Sequence, residues 1–334
     1  MEFLSARGVD QDISFKGDTL VVPIVSTGNV GQLAVDLFLS SGRAESPPLV
    51  KKVGYLETEL VAPASGYEVF GPGQPPQLCV NLELHRFPDS HVTLLQQRRA
   101  VLSGEERAFA AQLVDWSRRS GFKDILALTG ADAAEGLDPT PIGRGGMKRF
   151  RAGGAVGAPR APTPCALEEA LKSAGIGVFD PAGVMGGGGG WPMAPMEGGA
   201  LTAGGIGLEM VGDGGGEEDE ESLAALLSGG VEGFPRLPAL PSGTGVAGSL
   251  CAEASAAVVE GTGSSPPLVV LLRFCSEGDN APDAIAVAQA VNDSLRLLPG
   301  GGEGEGSPEG AVRWSSPLSW ASLYGPPPAP DAYQ

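Results

Sequence analysis

The sequence predicts an α/β fold: a single three-layer domain with a mixed, mostly parallel sheet flanked by helices and interrupted by Gly/Pro-rich flexible inserts. Three observations predict it. The apolar run Leu20–Val25 has the length of a buried strand and passes through Gly28 and Gly31 into a helical pattern ending near Leu37. The run Leu268–Cys275 repeats that layout, passing through Ser276–Asn280 into a helix with a buried stripe of Ile285, Ala288, Val291, Leu295 and Leu298. Between them lies a hairpin followed by an amphipathic helix.

Each element has a local reason. Lys51–Glu57 reads as a second strand, and Leu60–Pro63 as a short strand or loop. Leu78–His85 alternates from Val80 onward, Pro88-Asp89-Ser90 turns the chain, and His91–Arg98 returns as the hairpin partner. Ser103 and Glu106 have capping-box spacing, so each side chain is expected to satisfy a free backbone N–H of the other. The helix that follows is expected to bury Phe109, Leu113 and Trp116, with Gly121 ending it before strand Ile125–Leu128. In the late helix Asn280 is the expected N-cap, Pro282 sits in the first turn, and Asp283 suits the helix dipole.

From Leu137 to Pro267 the periodic signal fades. Gly 52 and Pro 29 make up about a quarter of the 334 residues and concentrate between Gly145 and Gly263. Oligoglycine at Gly186–Gly190 has no side chain to bury and the highest ordering entropy. Residues 1–150 and 235–325 are therefore expected to form one discontinuous domain, with 151–234 a largely disordered insert and 326–334 a Pro-rich C-terminal tail. Within the insert, Ser222–Leu227 has helical character.

Charge narrows the function. The net charge is −18, with 17 basic and 18 acidic residues up to Arg160 and 5 and 22 beyond it. An acidic later half, including Glu217–Glu221, disfavours nucleic acid, which needs a basic stripe. The basic cluster of Arg144, Lys148, Arg149 and Arg151 is small and reads as part of a Gly-rich loop. Cys79, Cys165, Cys251 and Cys275 lack C-x-x-C spacing, and only His85 and His91 could join them, so no metal is expected. Cys79 and Cys275 read as small core residues. With neither a signal peptide nor an 18-residue apolar run, a reduced intracellular compartment and no membrane are expected.

Catalytic signals are sparse. Asp89, Ser90 and His91 are adjacent on a turn, point apart, and read as turn formers with an exposed His; His85 reads as one face of a strand. Glu277, Asp279 and Asp283 gather at a strand end, where α/β folds place ligands, yet capping explains Asp279 and Asp283 better. The turn Gly28–Gly31 lacks the glycine of a G-x-G-x-x-G fingerprint that lets backbone approach a pyrophosphate; the alternative function is a nucleotide- or phosphate-binding α/β enzyme using that turn. No cofactor is expected.

Several separated blocks resemble the proteasome assembly chaperone 2 family. Val22–Leu37 looks like its N-terminal signature; Lys52–Tyr55, Leu60–Pro63 and above all Leu271–Ala284 are similar to later segments. The Trp-rich stretch from Arg313-Trp314 to Leu323-Tyr324-Gly325 also fits, so the resemblance covers roughly residues 15–150 and 235–330. Its signature turns fall on Gly28, Asn29, Gly31, Glu277, Gly278, Asp279 and Asn280. The resemblance implies a non-enzymatic chaperone, cytoplasmic and nuclear. It would pair with proteasome assembly chaperone 1 as a heterodimer, hold the α-ring of the nascent 20S proteasome and prevent off-pathway association. Ala332-Tyr333-Gln334 looks like the hydrophobic–Tyr–any tail that enters pockets between α-subunits, where a terminal carboxylate can pair with a Lys. At about 3.1 Å per residue the prolines before it form a stiff stalk, so residues 326–331 would span roughly 20 Å.

Overall fold

Alternation along the central strands decides where the core sits. In β2 (Thr19–Pro23) and the residue after it, Leu20, Val22 and Ile24 join one apolar cluster while Val21 joins another on the opposite face. β8 (Asp124–Asp132) sends Ile125 and Ala127 one way and Leu126 and Leu128 the other, and β11 (Leu268–Cys275) does the same with Val270 and Leu271. Strands apolar on both faces need helices above and below, and that is the arrangement found. The computed structural model describes residues 1–70, 75–135, 147–152, 165–179, 240–259, 265–300 and 312–322. They belong to one unit spanning Met1–Phe179 and Leu237–Gln334.

In chain order the remaining described strands are β1 (Glu2–Ser5), β3 (Lys51–Glu57), β4 (Ser65–Glu68), β5 (Gln77–Val80), β6 (Leu82–Phe87), β7 (Val92–Gln97), β9 (Met147–Arg151) and β10 (Gly177–Val178). The described α-helices are α1 (Val30–Ala44), α2 (Glu106–Arg119), α3 (Ala166–Ser173), α4 (Ala247–Val259) and α5 (Ala281–Leu295). Nine strands form one mixed sheet in the order β1-β3-β6-β7-β2-β8-β11-β9-β10, and β4 pairs with β5 in a separate two-stranded sheet. The central strands β7, β2, β8 and β11 run parallel, with antiparallel pairs on both flanks. Pro23 is accommodated because the β2–β7 ladder ends at Val21, so its missing N–H breaks no bond there.

α1 and α3 pack against α5 on one face, and α2 packs against α4 on the other. Phe109, Leu113 and Trp116 are buried as expected, with Phe15, Trp116 and Phe122 in mutual ring contact. Each such ring or aliphatic side chain taken from water is worth about 1.5–3 kcal/mol. The Trp-rich segment folds back onto α1: Trp314 meets Phe38 edge to face at 5.2 Å, and Ser315 N donates to Ser41 Oγ at 2.9 Å.

Several local expectations are corrected. The capping box does not form: α2 starts at Glu106 itself, and no side chain caps it. The Leu78–His85 run is not continuous. Asn81 turns its side chain to Ala62 O and to the Arg98 and Arg99 amides, splitting β5 from β6. Lys148, Arg149 and Arg151 lie on strand β9, paired with β11, instead of in a loop; Arg144 is outside the described residues. β9, α3, β10 and α4 all lie where the periodic signal fades. Residues 222–227 and the tail, including Ala332, Tyr333 and Gln334, lie outside the described residues.

Candidate functional site

The two glycine-bearing turns meet at the C-terminal end of the parallel strands. There a cleft of about 680 Å³ is lined by Val25–Asn29 from the β2–α1 connection, Gly243 and Gly245 ahead of α4, and Glu277, Gly278 and Asn280 from the β11–α5 connection. Open α/β sheets place their ligands at this end.

The turns are jointed to each other. Gly28 adopts φ +67°, and a Cβ there would lie 2.6 Å from Cγ of the buried Asn280. Only glycine suits both the left-handed backbone and the gap. Gly31, in the first turn of α1, lies so close to β8 that a Cβ would stand 2.5 Å from Leu128 O. Asn29 takes φ 51°, a conformation that asparagine tolerates.

Thr27, Asn29 and Ser26 hold the walls of the cleft together. Thr27 N and Oγ1 both donate to Gly243 O, at 2.9 and 3.3 Å, and Asn29 N donates to Ser26 O at 3.0 Å. Ser26 Oγ accepts from Gly130 N at 2.8 Å and donates to Ile24 O at 3.1 Å. The Thr27 and Asn29 amides are so occupied and do not also donate to an anion in the cleft. Among the described residues lining the cleft there is one carboxylate, Glu277, and no Lys or Arg.

The acids suggested for the strand end take separate duties. Asp279 Oδ1 accepts from Ala281 N at 3.0 Å and so does the capping expected of Asn280, whose own side chain makes no capping bond. Asp283 pairs with Arg273 at 2.7 Å. Cys275 is buried and donates to Thr27 O at 3.5 Å, and burial pushes its thiol up to about 11. His91 is exposed on the hairpin turn, its Nδ1 3.4 Å from Asp18 Oδ1. Among the described residues no group of three His, Cys, Asp or Glu could hold a metal, and no helix is long and apolar enough to cross a membrane.

A buried polar chain beneath the small β4–β5 sheet escaped the sequence reading. His85, fully buried, lies between Glu83 Oε2, 3.2 Å from its Nε2, and Arg43 Nη2, 3.2 Å from its Nδ1. Glu83 Oε1 accepts from Lys52 Nζ at 2.6 Å and Val80 N at 3.0 Å, while Arg43 reaches Gln77 Oε1 at 2.7 Å. Burial, reinforced by the Arg43 charge, holds His85 down at about 4. Burial alone would raise Glu83, but the hydrogen bonds and charges of His85 and Lys52 win and take it down to about 2. A neutral His85 donating from Nε2 to Glu83 and accepting from Arg43 at Nδ1 satisfies every group. The only sequence hint was a polar residue on alternate positions of an apolar hairpin strand.

These side chains are joints, and the comparisons place the scaffold they hold. The PAC2 family model matches residues 20–292, most of the chain and both signature turns. The chain belongs to the PAC2 family. It is 27% identical over 314 residues to proteasome assembly chaperone 2 of Danio rerio, covering 93% of each chain. It is 26% identical to the Xenopus laevis protein of that name, over 96% of this chain and 97% of the relative, and 25% to that of Homo sapiens, over 94% of each. The solved structures it aligns with are more distant. Pyrococcus furiosus PbaA, described as an archaeal homolog of proteasome-assembly chaperone, aligns with a TM-score of 0.45 and 14% identity, covering 86% of this chain and 84% of that one. A Thermoplasma acidophilum protein of unknown function aligns with a TM-score of 0.47 and 12% identity, over 87% and 78% of the two chains.

Proposed function

We propose that this PAC2 family member is a non-enzymatic chaperone of 20S proteasome assembly. In this reading it works in the cytoplasm and nucleus as half of a heterodimer with proteasome assembly chaperone 1. The pair binds α-subunits, promotes ring formation and prevents off-pathway association. The observation that carries the reading is the similarity, across more than nine-tenths of both chains, to vertebrate proteins named for that role. The cleft is consistent with it, since Ser26 and Thr27 join its walls and the described lining residues include no nucleophile–base pair.

The C-terminal Ala332-Tyr333-Gln334 then serves as an anchor in a pocket between α-subunits, its Tyr ring packed and its carboxylate paired with a Lys. Acute depletion of the protein from cells tests the function. Unassembled α-subunits should accumulate and mature 20S particles should fall, with rescue by the full chain. Normal α-ring formation after complete depletion would refute it.

A further inference from the structure

Beside β1 the sheet carries a groove of about 950 Å³ that the reading above leaves unused. Its apolar lining includes Leu4 and Leu102, each 43 % exposed, above the buried Val61 and Leu82. Tyr55 stands opposite Leu4 in the β1–β3 register. Ser65 and Val80, which also line the groove, share the outward face of the β4–β5 sheet with Tyr67 and Leu78, 76 % and 54 % exposed, so apolar surface continues past its rim.

The rim is acidic in an unbalanced way. Glu2 sits directly across from Glu57 in the same register, on the face that carries Leu4 and Tyr55, and Glu59 follows two residues on. Like charges directly opposed on paired strands destabilise the pair. Among the described residues none of these three carboxylates meets a cation, and no Lys or Arg lines the groove. The nearby Lys52 is committed to Glu83 Oε1 and Leu78 O. β1 itself is an edge strand, with no further strand on its outer side among the described residues.

We propose that this groove is a docking surface for an extended polypeptide segment of a partner protein, in which Lys or Arg alternates with apolar side chains. The basic groups settle between Glu2, Glu57 and Glu59, and the apolar ones pack on Leu4, Tyr55 and Leu102. Relief of the Glu2–Glu57 repulsion makes binding both selective and salt-dependent. The free edge of β1 offers main-chain hydrogen bonds to a strand laid beside it. The inference stands whether or not the proteasome is the client.

The test uses the full-length protein and two fluorescein-labelled, end-capped decapeptides, one alternating Lys with Val and the other Glu with Val. Fluorescence anisotropy should show saturable binding of the Lys peptide with Kd below ~1 mM and weaker binding of the Glu peptide. Leu102→Asp should weaken the Lys peptide at least about tenfold, and the double variant E2K/E57K should invert the preference between peptides. Melting temperatures of the variants report whether they fold. No saturable binding, equal binding of the two peptides, or Lys-peptide affinity unchanged in folded Leu102→Asp and E2K/E57K protein would overturn the proposal. The last result would mark a non-specific attraction to the −18 net charge.

Discussion

Gly28 and Asn280, 252 positions apart, share one space: the side-chain amide of Asn280 fills the volume that a Cβ on residue 28 would occupy. The contact ties the first βα connection to the last, so each turn sets the position of the other. Gly28→Ala should cost about 2–4 kcal/mol, from a left-handed backbone penalty plus the steric conflict. Asn280→Ala removes the conflict and leaves the backbone penalty. Gly28→Ala should therefore cost less by about 1 kcal/mol or more in an Asn280→Ala background. Urea unfolding of the four proteins measures the coupling, and strictly additive losses would contradict it.

His85 makes stability depend on pH. Its folded value, about 4, lies below the ordinary 6.5, so between those limits the unfolded chain binds more protons and stability rises with pH. The contribution is complete above about 6.5 and is lost as pH falls toward 4. Glu83, held at about 2, adds stability that is present above 4.5 and lost below it. Between pH 7 and 5 the His85 contribution to the loss should be on the order of 1–2 kcal/mol, while Glu83 adds nothing in that window. His85→Gln should be less stable at pH 7 yet show a flatter pH dependence. Urea midpoints at the two pH values decide it; an unchanged slope would rule out His85 as the source.

Trp314 fastens the late segment to α1 through Phe38. Trp314→Ala should cost about 1–3 kcal/mol, combining a lost aromatic pair with partial burial. Limited proteolysis should then cut near residues 312–322 faster than in the parent protein. Equal cleavage rates would show that other contacts, such as Ser319 with Glu68, hold the segment unaided.

On the proposed function, removing Ala332-Tyr333-Gln334 should weaken binding to α-subunits by about 1–3 kcal/mol, the loss of one anchor, and leave the proposed pairing with proteasome assembly chaperone 1 intact. Quantitative co-purification of α-subunits with full-length and truncated protein reads this out. Equal recovery would dismiss the tail as an anchor.

The two strand–turn–helix units were legible because long apolar runs ending in glycine admit few readings. β2 and β11 are buried on every residue, and the connection after β2 needs Gly28 and Gly31 for contacts made far along the chain. β9 was missed because Met147–Arg151 is mostly charged, and only its place between β11 and β10 makes it a strand. α4 was missed because its Ala, Gly and Ser residues resemble the low-complexity sequence around them; the burial of Leu250, Cys251 and Ala254 against α2 is a tertiary fact. The link from Gly28 to Asn280 and the Arg43–His85–Glu83–Lys52 chain join distant segments, which spacing in one sequence does not reveal. Hydrogen bonding within the cleft in turn explains why glycines that resemble a nucleotide motif serve as joints.

Native mass spectrometry of the recombinant full chain, mixed with proteasome assembly chaperone 1 and then with α-subunits, addresses the proposed role most directly. A one-to-one heterodimer that then takes up α-subunits is the expected result. A chain that ignores both, with its fold intact by circular dichroism, would contradict that role.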